Sequence, residues 1–145
     1  PESIKKDEFT YKSVYTKPVT KKEASAQKGI NIVEIQNGDY SSLAGTWRNS
    51  KGTTLVFDKN GLVDEYSEIF TVKPEKDGTV LRLGVRTKSG LGGFFILVIP
   101  AGAEAPEVNN GNGTKSPAQS DNSRDRLYAG QDYSGKPEHF LYKVD

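Results

Sequence analysis

Cysteine and methionine are both missing from this chain of 145 residues. Without cysteine there is no disulfide framework, no zinc ribbon and no thiol nucleophile. A basic excess is missing as well: 20 Lys+Arg stand against 19 Asp+Glu, a formal net charge of +1. That balance excludes the electrostatic footprint of a nucleic-acid binder, which needs a clear surplus of cations. Long hydrophobic runs are equally scarce. The longest, from Phe94 to Pro100, is far shorter than the roughly 20 apolar residues a bilayer-spanning helix needs. Only one histidine is present, His139, so a zinc site or a Ser-His-Asp arrangement has little to cluster around it. Hydrophobic residues make up 34% of the chain, low for a domain packed from end to end, which predicts that part of the length contributes little to a core. The absence of Cys and Met, with Pro1 first, predicts a segment cut from a longer precursor.

What is present changes character along the chain. Pro1 to Lys28 is polar and lysine-rich. Phe9, Tyr11, Ser13 and Tyr15 alternate there as in an edge strand, and Thr20-x-x-Glu23 has the spacing of a helix cap. So few aliphatics cannot bury enough surface to offset chain entropy, and the preferred reading is a tether with partial order. Asn31 followed by Glu34 and closed by Gly38 predicts a short capped helix with Ile32 and Ile35 on one face. From Gly45 the period becomes two. Thr46–Asn49, Thr53–Asp58, Leu62–Val72, Thr79–Thr87, Gly92–Pro100, Arg126–Ala129 and His139–Val144 read as seven strands, separated mainly by Gly-containing turns. The Asn60-Gly61 pair predicts a type I′ turn. Phe94 to Ile99 is apolar on both faces and therefore needs a second cover, for which the Ile32/Ile35 helix is the candidate. Ala101 to Ser123, rich in Gly, Asn, Pro and Ser, reads as a long surface loop. A meander that avoids raw edges closes into a barrel.

Gly45-x-Trp47 opens the first strand. The glycine lets the chain turn sharply, and two residues later the indole points to the same face to close one end of the barrel. Other constellations carry less chemistry. Asp121-Asn122-Ser123-Arg124-Asp125 is oxygen-rich but lacks the ligand spacing of an EF-hand, so a solvated loop outweighs a calcium site. Asp64, Glu65 and Glu68 read as a solvated strand face before a glycosidase pair. Asn112-Gly113-Thr114 is formally a glycosylation acceptor. The tyrosines and phenylalanines of the strands are core residues or, in a barrel, pocket lining. Tyr66, Phe70 and Tyr128 are the candidate contacts for a ligand or partner.

The run Asn31-Ile32-Val33-Glu34-Ile35-Gln36-Asn37-Gly38-Asp39-Tyr40-Ser41-Ser42-Leu43-Ala44-Gly45-Thr46-Trp47-Arg48-Asn49, with Leu55-x-Phe57 and Asn60-Gly61 after it, resembles an uncharacterised domain family of streptococcal-type Gram-positive surface lipoproteins. Arg124-Asp125-Arg126-Leu127-Tyr128-Ala129-Gly130-Gln131 extends the likeness more loosely. The resemblance implies a secreted domain on the extracellular face of the cell membrane, held by a lipid anchor upstream of this chain and a flexible tether. Gly45-x-Trp47 is also distantly similar to the lipocalin-type signature, which implies that Arg126 stacks over Trp47 at a closed barrel end. Arg124, two residues earlier, is the competing assignment.

The expectation is therefore a mainly β fold, an antiparallel meander closing into a small lipocalin-like barrel with one or two short N-terminal helices. Residues 1–29 form the tether and 30–145 the barrel domain, with its long loop over 101–123. Gly45, Trp47 and Arg126 are structural closure. For want of a nucleophile–base–orienter set, the chain is read as a non-catalytic binding module, a monomer with no metal and no cofactor. Its expected partner is a small apolar ligand or a cell-wall or host component. The alternative is an interaction protein presenting loops on a filled, tethered barrel.

Overall fold

The computed structural model describes residues 29–145; all but the last residue of the expected tether, the expected Phe9–Tyr15 alternation and the expected Thr20-x-x-Glu23 cap lie outside them. Helix α1 (Ile32–Gln36) forms because Asn31 caps it, its Oδ1 accepting from the Glu34 amide at 3.1 Å, and Gly38 turns the chain away at φ +91°. A 3-10 turn, Ser41–Leu43, leads into the strands β1 (Gly45–Arg48), β2 (Thr54–Asp58), β3 (Gly61–Leu62), β4 (Ser67–Glu75), β5 (Val80–Thr87), β6 (Gly93–Ile99), β7 (Val108–Asn109), β8 (Lys115–Ser116), β9 (Arg126–Gly130) and β10 (Phe140–Lys143). Eight of them make one antiparallel sheet in the order β3-β2-β1-β10-β9-β6-β5-β4, while β7 and β8 form a separate hairpin. Strands β1 to β3 and β4 to β6 pair in chain order, β9 takes up pairing with β6 after the hairpin insertion, and β10 pairs with β9 and returns to β1. The two outermost strands, β3 and β4, are consecutive in the chain, so the sheet curls into a nearly closed barrel.

The expected third strand, Leu62–Val72, is two strands. The Asp64 carboxylate accepts from the Tyr66 amide at 2.8 Å, and this Asx turn breaks the ladder between Leu62 and Ser67. Eight sheet strands therefore replace the seven read from the sequence. The Asn60-Gly61 hairpin also differs in detail: Lys59 and Asn60 are its loop, and only Gly61, at φ +126°, takes a positive φ, so it is not a type I′ turn.

Inside the barrel, Ile35, Tyr40, Leu43, Trp47, Phe57, Leu81, Leu83, Val85, Ile96, Val98, Leu127 and Leu141 form one continuous core. The alternation of β5 explains its share: Leu81, Leu83 and Val85 point in, and Arg82 and Arg86 point out, Arg82 bonded across the ladder to Glu75 and Arg86 to Glu68. Strand β6 is covered on both faces as its composition requires, but the cover is not the helix. Leu97 and Ile99 pack outward with Val80, Ala105, Tyr128 and Phe140, under Ala103, Ala118 and Tyr133. Helix α1 instead sends Ile35 into the inner core. It is tied to the barrel end by Asp125, whose Oδ2 accepts from the Ile30 amide at 3.1 Å and whose Oδ1 accepts from the Ala101 amide at 2.7 Å.

One position in β6 tests this packing. A Cβ on Gly93 would collide with the carbonyl oxygen of Val85 on β5, and a paired backbone cannot step aside. Gly93→Ala is expected to cost about 1–3 kcal/mol, read as a lowered thermal midpoint. An unchanged midpoint would mean that β5 and β6 are less tightly paired than described.

Candidate functional site

The barrel does not close with a ladder. Only β3, two residues long, faces the nine residues of β4. The Lys88 amide donates to the Tyr66 carbonyl at 2.8 Å, which sets the phase of the β4–β5 ladder, and the register shift between Ile69 and Thr71 resets it. Past the bulge, Thr71, Lys73 and Glu75 direct their backbone groups to β5, whereas Val72 and Pro74 direct theirs to the open side; before it, Ile69 does the same. Pro74 fits that side, since it has no N–H to leave unpaired.

A cleft of about 280 Å³ lies at this seam, lined by Tyr40, Asn60, Leu62, Asp64, Ser67, Glu68, Ile69 and Lys88. Leu62 and Ile69 supply apolar wall, and both pack against the inner core. Tyr40 is buried, and desolvation raises the pKa of its phenol, so the group stays neutral and can only exchange hydrogen bonds. Asn60, Ser67, Asp64, Glu68 and Lys88 form a polar rim with both charges. Glu68 is already engaged by Arg86 Nε at 3.1 Å, and Asp64 Oδ1 holds the Tyr66 amide, which leaves Lys88 and the second Asp64 oxygen as the more available groups. Ligand pockets for drug-sized molecules run from about 300 to 1,000 Å³. The cleft therefore suits one small polar group or a single side chain, not a long apolar ligand.

Gly45 stands at the start of β1 with φ +129°, where a Cβ would meet the Lys143 side chain at 2.6 Å and Asp145 Oδ1 at 2.7 Å. The Asp145 carboxylate accepts from the Thr46 amide there, at 3.0 and 3.2 Å from its two oxygens. Trp47 is 1% exposed within the inner core, and its indole N–H donates to the Leu43 carbonyl at 2.9 Å. Arg126 is fully buried too, but on the opposite face of the sheet, because Leu127 takes the inward position beside it. It therefore does not stack on Trp47. Its guanidinium binds the outer loop: Nε donates to Ser120 Oγ, Nη1 to the carbonyls of Pro100 and Arg124, and Nη2 to the Ala103 carbonyl and Asn122 Oδ1. Burial pulls the pKa of Arg126 down, yet so many acceptors keep the charge in place. Arg124 stacks on the Tyr142 ring at 4.2 Å, also away from Trp47.

The three candidate contact residues occupy different environments. Tyr66, 73% exposed, sits in the turn beside the seam; Phe70, 51% exposed, is the bulge residue, with the Arg86 guanidinium 5.1 Å from its ring. Tyr128 is buried in the outer layer, its hydroxyl donating to the Asp132 carbonyl at 2.8 Å and accepting from the Ser134 amide. His139 bonds Ser134 Oγ through Nδ1 at 2.6 Å, a turn contact in which no carboxylate among the described residues orients the ring. In the 121–125 loop the side chains bind the protein itself: Asp121 takes the Ser123 amide and hydroxyl, Asn122 takes Arg126, and Asp125 takes Ile30 and Ala101. Among the described residues no cluster of His, Asp and Glu could hold a metal ion, and no helix is long and apolar enough to cross a membrane. The sequence singled out Asp64 and Glu68 only as a solvated strand face, and it marked none of Tyr40, Asn60, Leu62, Ser67, Ile69 and Lys88 as part of a site. The usable signal was the polar interruption at Asp64-Glu65 within an otherwise long strand.

Residues 2–145 match the family model described as "Domain of unknown function (DUF6287)", and the chain belongs to that family. No curated protein and no solved structure is significantly similar to it.

Proposed function

Because a family of unknown function leaves the activity to be argued from the site, we propose that this chain is the extracellular domain of a Gram-positive surface lipoprotein and acts as a non-catalytic binding module whose contacts are made at the barrel seam. The observation that carries the binding surface is the filled interior: Trp47, Phe57, Leu83, Ile96 and Leu127 occupy the space an internal apolar ligand would need. Among the described residues the seam cleft, with its apolar wall and mixed-charge rim, offers a concave surface for such contacts. The location is supported by the lipoprotein resemblance of Asn31–Asn49 and by the charged stretch before it. A second reading, an interaction protein working through its loops, is favoured by the same filled interior together with the β7–β8 hairpin that projects from the long insertion.

The test uses purified chain against immobilised cell-wall glycans and extracellular matrix proteins. A double variant, Asp64→Asn with Lys88→Glu, keeps the side-chain oxygen that holds the Tyr66 amide and is expected to abolish whatever binding the parent shows while leaving the thermal midpoint nearly unchanged. Binding that survives the seam variant but is lost on shortening the hairpin between Val108 and Ser116 would replace the seam with the loop reading. For location, protease treatment of intact cells should remove the protein, and digestion only after lysis would sink the surface assignment.

A further inference from the structure

The β7–β8 hairpin carries two Asn-Gly pairs in succession, Asn110-Gly111 and Asn112-Gly113, and two more lie elsewhere, Asn37-Gly38 and Asn60-Gly61. An Asn-Gly pair has an internal reaction open to it. The glycine amide nitrogen, once it has lost its proton to hydroxide, attacks the asparagine Cγ, and the tetrahedral intermediate takes a proton from water and expels ammonia to leave a five-membered succinimide. Water then opens the ring at either carbonyl, giving aspartate or isoaspartate. The missing Cβ of glycine keeps the approach unhindered. Three conditions set the rate: a free nucleophilic amide, a polarised Cγ carbonyl, and a side chain not held elsewhere.

The four pairs differ in these conditions. The Gly38 amide donates to the Ile35 carbonyl at 3.0 Å at the end of α1. Gly61 is paired with Asp58, in phase with the Val63-to-Val56 bond at 2.8 Å, so its amide is spent on the ladder. The Gly111 amide donates to Asn109 Oδ1 at 3.0 Å, and the Asn110 side-chain nitrogen is bonded to Thr114 Oγ1 and Ser116 Oγ, both at 3.0 Å. Asn112 is arranged differently. Its Oδ1 accepts from the Thr114 amide at 3.1 Å and from the Thr114 hydroxyl at 2.5 Å. Two donors therefore converge on the oxygen where negative charge develops in the intermediate. Among the described residues neither the Gly113 amide nor the Asn112 side-chain nitrogen has a hydrogen-bond partner, and both residues are exposed.

We propose that Asn112–Gly113 is a self-modification site, cyclising through a succinimide with release of ammonia, and that Thr114 assists by stabilising the oxyanion on Asn112. The product adds a carboxyl group in the hairpin turn, takes the formal net charge of +1 to zero, and destroys the Asn-x-Thr glycosylation acceptor.

The experiment incubates the folded chain at mildly alkaline pH and follows each Asn-Gly peptide by mass spectrometry, with isoaspartyl methyltransferase labelling to identify the succinimide route. Asn112 is expected to convert well ahead of Asn110, Asn37 and Asn60. Thr114→Val should slow it about tenfold, less than the 10²–10³ a donor is worth in a water-excluded site, because this loop is solvated. In denaturant the preference of Asn112 over Asn110 should vanish. Conversion of Asn110 at an equal or greater rate in the folded chain, or a Thr114→Val rate equal to the parent's, would overturn the proposal. So would a product containing aspartate without isoaspartate, which requires direct hydrolysis.

Discussion

Trp47→Ala is expected to lower the stability of the folded chain by about 3–5 kcal/mol, the range for truncating a large buried aromatic. Trp47 is 1% exposed and touches the core shared by α1 and the strands, so the cavity left behind has no loop or terminus free to fill it. A second cost adds to the first: the Leu43 carbonyl, buried in the 3-10 turn, loses the indole donor that satisfies it. Both effects act on the inner core, so the loss should be global. Denaturant unfolding is expected to keep one transition with a much lower midpoint and an unchanged slope. Trp47→Phe, which keeps an aromatic but not the N–H, should fall between the parent and the alanine variant. A loss for Trp47→Ala below about 1 kcal/mol, the level of surface changes, would mean that the ring does not organise the core.

Arg126→Met should be nearly as costly for a different reason. Methionine keeps much of the apolar stem but removes every guanidinium donor. The carbonyls of Pro100, Ala103 and Arg124, with Ser120 and Asn122, then lose the partner that draws the 101–123 segment onto β6 and β9. Each orphaned buried acceptor costs about 1–3 kcal/mol, and water reaching some of them limits the sum to about 3–5. Arg126→Lys should rescue little, because an ammonium cannot reproduce the planar fork that serves five acceptors at once. The signature differs from that of Trp47→Ala. The outer layer should loosen first, so limited proteolysis is expected to open within 101–123 while the barrel strands resist. Cleavage appearing equally in β1 and β5 would place Arg126 in the barrel core instead.

The contrast between these two residues shows which features were readable in the sequence. Period-two alternation carried β5 well: Leu81, Leu83 and Val85 inward is a direct consequence of one wet face. The same rule, applied to Arg126-Leu127-Tyr128, puts the leucine inward and the arginine outward. The likeness to a lipocalin signature suggested the other face, and local patterning prevails because the barrel interior has no room for a guanidinium and its acceptors. Phe94–Ile99 announced its need for two covers, yet not what the second would be. A loop that covers with Ala103, Ala105 and Ala118 has no periodicity to detect, and its docking depends on Arg126 and Tyr133 far along the chain. The seam was the least legible feature. A single Asx turn at Asp64 divides the predicted third strand, and side-chain-to-backbone bonds of that kind leave only a polar residue in the pattern as their trace.

The central claim is that the barrel is filled inside and open along β3 and β4, which directs recognition to the seam. Residue-resolved amide hydrogen exchange in the full chain tests it most directly. If the seam is open, the Val72 amide should exchange far faster than those of Thr71 and Lys73, which face β5, and the Leu83 and Ile96 amides should exchange slowest of all. Protection of Ile69 and Val72 equal to that of Thr71 and Lys73 would mean that a strand already occupies the edge, and the seam would not be available as a binding surface.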